Sequence, residues 1–154
     1  EGSSPGEEGA IRGMGFAFSA YWFNANAIKL GGMWSSDGDI IHTDGTVERG
    51  RDIITQNRIL LFGRPEYRNS RHSLILNMIN CISPDIAVAD GTWDLRGVVD
   101  REGTPVPRME GQVTLVVRRI GDGYIDASRY TVKPPGENQS GTPVRPSTPR
   151  TIIR

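Results

Sequence analysis

The chain has 154 residues, and its 18 basic and 18 acidic residues cancel. A chain of this length makes one ordinary domain that needs no disulfide or metal for stability. The charges are scattered without runs, and the apolar runs fall far short of the ~20 residues that cross a bilayer. We therefore expect a soluble protein that binds neither nucleic acid nor membrane. The chain begins with Glu1, which leaves the compartment open: cytoplasmic, or exported after removal of an N-terminal segment.

An amphipathic helix is predicted near the N-terminus. Ser4 suits the N-cap, Pro5 the first helical position and Glu7 the capping-box position. A short second helical piece is predicted from Leu30 to Trp34. The first helix carries an apolar stripe with mostly three- and four-residue steps, which should face the core, at Ile11, Met14, Phe18, Tyr21, Trp22, Ala25 and Ile28.

A hairpin is predicted next. The segments Asp39 to His42 and Thr46 to Glu48 flank Asp44-Gly45, a dipeptide that readily adopts the positive φ angles of a tight turn. We expect two short strands there, with alternation turning His42 inward.

A third helix and four long strands complete the domain. The helix opens at Gly50 to Asp52 and ends at Gly63. Strong turn signals separate the strands, which favours an antiparallel meander. The predicted strands are Arg71 to Ile82, Ile86 to Val99, Met109 to Ile120 and Tyr124 to Lys133. Helices followed by a meander define an α+β fold, with the helices on one face of the sheet.

The other face of the sheet is expected to need a cover. The first long strand is apolar on both faces, with Leu74, Leu76 and Met78 alternating with Ile75, Ile79 and Cys81. A partner subunit would bury the outer side, so we expect a homodimer. The domain should span residues 1–133, and residues 134–154 form a tail that holds five of the ten prolines, a composition typical of disorder.

The order of these elements and the residues at their joints resemble the SnoaL-like branch of the nuclear transport factor 2-like superfamily, close to the SgcJ/EcaC group. The resemblance covers about Ile11 to Lys133. The matching segments are Tyr21-Trp22-Phe23-Asn24, Trp34-Ser35-Ser36-Asp37-Gly38-Asp39, Asp44-Gly45, Gly50-Arg51-Asp52-Ile53-Ile54, Asp85-Ile86-Ala87-Val88 before Trp93, and Asp122-Gly123-Tyr124-Ile125. It implies a cone-shaped domain, a pocket between the helices and the concave sheet face, and frequent homodimers, but not one activity.

The catalytic groups of ketosteroid isomerase-like relatives are not matched. The general-base carboxylate would fall at or beside His42, the tyrosine near Phe18 and Ser19, and the second acid near Thr114 and Leu115. His42 and Asp44 are therefore the acid-base candidates, because a neutral imidazole can relay a proton near pH 7. A strand-end hydrogen bond for His42 and the hairpin turn for Asp44 are the structural alternatives, and His72 is expected to be solvated.

Ligand-binding candidates come from aromatic and polar positions on the strands. Aromatic walls suit a flat or apolar small molecule, and polar groups would orient it. Core packing or ordinary exposure is the alternative for each residue. The candidates are Trp34, Asn77, Trp93, Thr114, Arg129 and Tyr130.

Metal and cofactor sites are not expected. Cys81 is the single cysteine, so a two-cysteine metal site is impossible, and a zinc site would need carboxylates beside the two histidines. Phosphate-binding glycine loops and nucleophile elbows are also missing from the sequence. We expect a small-molecule-binding protein of the SnoaL-like type. It could also catalyse a reaction, as an isomerase, cyclase or dehydratase-like enzyme. The alternative is a non-catalytic homodimerisation or protein-interaction module.

Overall fold

The computed structural model describes residues 5–119 and 123–133. The predicted N-cap Ser4, the predicted turn around residues 120–122 and the predicted tail at 134–154 lie outside the described residues. The helices are α1 (Pro5–Phe23), α2 (Ala27–Gly31) and α3 (Arg51–Phe62), followed by a short 3₁₀ helix, η1 (Pro65–Tyr67). The strands are β1 (Trp34–Ile41), β2 (Val47–Arg49), β3 (Arg71–Cys81), β4 (Ile86–Arg96), β5 (Met109–Arg118) and β6 (Tyr124–Tyr130). This is an α+β fold, as predicted.

The helices pack against one curved six-stranded sheet. Its strand order is β2-β1-β6-β5-β4-β3. The strands β3 to β6 form the predicted antiparallel meander. The prediction missed that β1 lies parallel to β6, with Ile40 opposite Ser128. It also misplaced the second helix, which ends at Gly31, so that Trp34 begins a strand instead of ending a helix.

The apolar stripe of α1 is confirmed over four of its members. Ile11, Met14, Phe18 and Trp22 are buried in the core. The stripe does not continue, because Ala25 adopts a left-handed φ of 54° and ends the helical path. Ile28, beyond that break, is 65% exposed.

Two β-bulges decide which residues face the helices. In β3 the register shifts between Leu76 and Met78, so Ile79 and Cys81 pack against the core together with Leu74 and Leu76. The strict alternation expected for this strand is therefore wrong, since a bulge reverses the alternation beyond it.

The second bulge lies in β6. Val117 pairs with Ile125 and Val116 pairs with Ala127, so Asp126 is the extra residue. Ile125 and Ser128 are fully buried on the inner face, whereas Arg129 is exposed on the outer face.

The hairpin between β1 and β2 is confirmed, with a looser turn than expected. The His42 amide donates to the Thr46 carbonyl at 2.9 Å, and Gly45 has a φ of 89°. Asp44 is not in the left-handed region, so only one residue of the dipeptide uses it. Among the described helices, none is both long and apolar enough to cross a membrane.

Two glycines of α1 test how closely this helix lies on β3. A Cβ on Gly15 would come within 2.8 Å of the Leu74 carbonyl oxygen, whereas a Cβ on Gly13 would meet nothing within 4 Å. Gly13→Ala should raise the free energy of unfolding by about 0.5–1 kcal/mol, because alanine favours the helix. Gly15→Ala should lower it, because helix and strand must separate. Urea unfolding of both variants measures this, and equal effects would contradict the close approach.

Candidate functional site

A cavity of about 580 Å³ lies between α1, α3 and the inner face of the sheet. Its volume is within the usual range for small-molecule sites, roughly 300–1,000 Å³. The inner part is aromatic, and the polar part lies toward the β1–β2 hairpin. The lining residues include Phe18, Trp22, Trp34, His42, Asp44, Glu48, Asn57, Arg58, Leu61, His72, Trp93 and Tyr130.

All three tryptophans of the chain line this cavity. The Trp22 Nε1–H donates to Ser70 Oγ at 3.0 Å, and the Trp93 Nε1–H donates to the Thr131 carbonyl at 2.7 Å. These bonds fix the orientation of the Trp22 and Trp93 rings in the cavity wall. Trp34 and Trp93 therefore lie where the sequence analysis expected a ligand.

Glu48 is the central charged group of the polar end. The β2 strand turns it inward, and only 8% of the residue is exposed. Its Oε1 accepts from Asn57 Nδ2 at 2.9 Å and from Arg58 at 3.2 Å, and its Oε2 accepts from Arg58 at 3.1 Å. The two-pronged contact with Arg58 neutralises a carboxylate that would otherwise be too costly to bury.

His42 completes this network. Its Nε2 contacts Glu48 Oε2 at hydrogen-bonding distance, and 35% of its side chain is exposed. A carboxylate accepts hydrogen bonds only, so the neutral imidazole carries its proton on Nε2 and leaves a lone pair on Nδ1. The contact with Glu48 therefore fixes the tautomer of the neutral His42 ring at the cavity wall.

The pKa of Glu48 reflects two opposing effects, burial and the contacts with its partners. Burial alone would raise this pKa, but the hydrogen bond from His42, the charge of Arg58 and the bond from Asn57 lower it to about 2. Glu48 is therefore ionised near neutral pH and can stabilise a protonated His42.

His72 is inside the aromatic part of the cavity, so the expectation that it is solvated is wrong. Its ring centroid lies 4.9 Å from those of Phe18 and Trp22 and 5.7 Å from that of Trp93. Burial is the main cause that lowers its pKa to about 3, and Nδ1 has no hydrogen-bond partner among the described residues. His72 is a neutral ring at ordinary pH.

Tyr130 bridges the two parts of the cavity. Its ring is stacked on His42 with a centroid distance of 6.3 Å and lies edge-on to Trp93 at 5.9 Å. Burial raises the pKa of the Tyr130 phenol. The hydroxyl therefore stays protonated and can only donate or accept a hydrogen bond.

Asp44 lines the cavity mouth, and its oxygens serve the hairpin. Its Oδ1 accepts from the Thr46 amide at 2.9 Å and from the Thr46 hydroxyl at 2.8 Å. These two bonds lower the pKa of Asp44. A turn role is therefore sufficient to explain this residue.

Three of the ligand-binding candidates lie away from the cavity. Asn77 is exposed at the β3 bulge, and Thr114 donates to Asp90 at 2.6 Å on the outer face. Arg129, the third of these candidates, lies on the outer face beyond the β6 bulge, where it contacts Asp39 at 2.6 Å, so its exposed alternative holds.

Sequence reasoning missed Glu48, Asn57 and Arg58 as members of the site. A helical signal was present for two of them, because Asn57 and Arg58 follow the buried Ile54 by three and four residues on α3. Nothing in the sequence indicated that β2 and α3 place these side chains together.

In the described part of the chain, no group of three or more His, Cys, Asp or Glu side chains could hold a metal ion.

Comparison with known proteins supports the fold. No protein-family model and no curated protein matches the chain. An uncharacterised protein of cystatin-like fold from Caulobacter vibrioides has a TM-score of 0.72 and 19% identity, over 86% of this chain and 94% of that one. An NTF2-like protein of cystatin-like fold from Novosphingobium aromaticivorans has a TM-score of 0.68 and 17% identity, over 87% and 86% of the two chains.

A third similar structure, also from Novosphingobium aromaticivorans, is described as a candidate scytalone dehydratase. Its TM-score is 0.69 and its identity 16%, over 83% of this chain and 85% of that one. At such identities the likeness concerns the fold alone. The chain therefore has the cystatin-like fold of nuclear transport factor 2-like proteins, with an aromatic cavity on its inner sheet face.

Because His72 is buried, we expect the free energy of unfolding to depend on pH below 6.5. Its pKa is lowered from an ordinary 6.5 to about 3, so the unfolded state binds more protons between these values. The free energy of unfolding should fall as the pH drops from 6.5 to 4.5, by roughly 1 kcal/mol per pH unit. His72→Phe should flatten this slope in urea unfolding. NMR titration of the His72 ring is the direct measurement, and a midpoint above pH 5 would contradict the burial.

Proposed function

We propose that the protein is a SnoaL-like small-molecule enzyme that moves a proton on a flat, mostly apolar substrate, as isomerases, cyclases and dehydratases do. One observation carries the proposal. A histidine in a fixed tautomer, held by a buried and charge-compensated glutamate, lies on the wall of an aromatic cavity. Buried ion networks of this kind are expensive to build for stability alone.

The proposed chemistry divides between three side chains. His42 Nδ1 removes a proton next to a carbonyl or leaving group of the substrate. Glu48 keeps the imidazole oriented and stabilises the imidazolium that forms. The neutral Tyr130 hydroxyl donates a hydrogen bond to the oxygen on which negative charge develops.

The cavity also suggests the class of substrate. The charges of Glu48 and Arg58 cancel within the cavity wall, Asp44 and Arg64 add one further charge of each sign, and His72 is neutral. The remaining inner lining is mainly aromatic, which favours a neutral molecule with one or two flat rings. The structural similarity to a candidate scytalone dehydratase supports this reaction class by analogy of fold only.

Proton exchange of a bicyclic ketone tests the proposal. We expect the protein to accelerate deuterium incorporation next to the carbonyl of 2-tetralone in D₂O, followed by NMR. His42→Asn should lower this rate by about 100-fold, since a general base contributes that order of acceleration. Glu48→Gln should lower the turnover rate more than it changes KM, because Glu48 acts through His42. Asp44→Asn should leave the rate unchanged.

Binding is measured separately through the tryptophans of the cavity wall. Leu61 lines the cavity and its neighbour Leu60 is 61% exposed, so Leu61→Phe and Leu60→Phe are a matched pair. Only Leu61→Phe should weaken the change in tryptophan fluorescence caused by 2-tetralone. Ketone that binds without faster exchange would contradict catalysis, and an effect of Asp44→Asn equal to that of His42→Asn would move the base to Asp44.

A second candidate function is a homodimerisation module, and the outer sheet face favours it. Ile75 and Met78 lie there with 55% and 68% exposure. Exposed apolar side chains on a sheet face often mark an interface. Sedimentation velocity at micromolar concentration should then give a dimer. Ile75→Lys should shift it to monomer, while Ile28→Lys, at a position of α2 that is 65% exposed, should not. A monomeric protein would exclude this candidate and leave the cavity proposal intact.

A further inference from the structure

A second hollow of about 310 Å³ adjoins the aromatic cavity. It lies between η1 and the loop 97–108 that joins β4 to β5. Four side chains line both hollows, which places the two side by side with a shared wall: Arg64, Tyr67, Leu95 and Met109. A ligand in one hollow would therefore reach the edge of the other.

The loop that walls the second hollow is an ordered structure. The Val106 amide donates to the Val98 carbonyl at 2.8 Å, and Asp100 Oδ1 accepts from the amides of Glu102 and Thr104 at 2.9 Å. The Val99 amide donates to the Glu66 carbonyl at 3.1 Å, which ties the loop to η1. A long loop held in this way is more typical of a binding wall than of a simple connection.

The lining of this hollow is mostly apolar. Among its charged members, the Arg64 guanidinium lies 3.8 Å from Glu66 and 5.2 Å from the Tyr67 ring centroid, so these two charges compensate each other within the lining. Asp100 serves the loop turn, and Arg101 is exposed. The apolar members are Leu95, Val98, Val99, Val106, Pro107 and Met109. The loop valines and the proline therefore turn apolar surface toward this hollow.

We propose that this second hollow is a substrate subsite for an unbranched apolar arm, attached to the ring that the aromatic cavity holds. The proposal rests on the proposed function, because it assumes that the aromatic cavity is the ring site. The volume sits at the low end for a ligand pocket, roughly 300 Å³, which suits a short arm and not a separate molecule. The substrate class is then a ring system that carries a short alkyl or acyl chain.

Two fluorescent ketones that differ only in the arm provide the test. The probes are 6-propionyl-2-(dimethylamino)naphthalene and its hexanoyl homologue, whose own emission reports binding. The hexanoyl probe has three more methylenes than the propionyl probe. If the second hollow buries them, the hexanoyl probe should bind more tightly, by on the order of 10- to 50-fold. Val106→Trp should fill the second hollow, so it should remove that gain and leave the affinity for the propionyl probe unchanged.

The control is Val132→Trp, the same substitution at a side chain that is 46% exposed and outside both hollows. It should keep the full preference for the hexanoyl probe. A preference that persists in Val106→Trp, or equal affinity of the two probes for the unmodified protein, would overturn the subsite. If the aromatic cavity is not the ring site, as the proposed function assumes, the result is different. Leu61→Phe would then leave the binding of the propionyl probe unchanged, because Leu61 lines that cavity.

Discussion

The buried carboxylate of Glu48 is the constraint on which the polar end of the domain depends. A carboxylate that is 8% exposed must be matched by donors, and Arg58, Asn57 and His42 supply them. Glu48 lies on β2 and its partners come from α3 and the end of β1, so one side chain joins three elements. The same contacts that neutralise the charge also fix the tautomer of His42, which links the packing of this corner to its chemistry.

The aromatic end of the cavity is held by ring packing and not by charge compensation. Here the rings of α1 and of the inner sheet face meet around His72, and their burial keeps that imidazole neutral. The cavity therefore combines a compensated ionic corner with an apolar interior. The proposed proton transfer depends on this pair of environments, because the ionic corner orients His42 and the apolar interior would hold the ring of the substrate.

Much of the fold was predictable because its signals are local. The meander, α3 with its end at Gly63, and the buried stripe of α1 all follow from periodicity and turn residues. The site was predictable only in part: His42, Trp34, Trp93 and Tyr130 line the cavity, whereas Asn77, Thr114 and Arg129 do not. Alternation fails beyond a bulge, and a bulge leaves no clear mark in a single sequence.

The sequence by itself determined the α+β order and the turns, since each depends on residues close together in the chain. Only the tertiary structure decided that β1 lies parallel to β6, that His72 is enclosed by rings and that Glu48 meets Arg58. The reason is physical. Burial and charge pairing depend on which elements come together, and that choice is made by the whole core and not by any one segment.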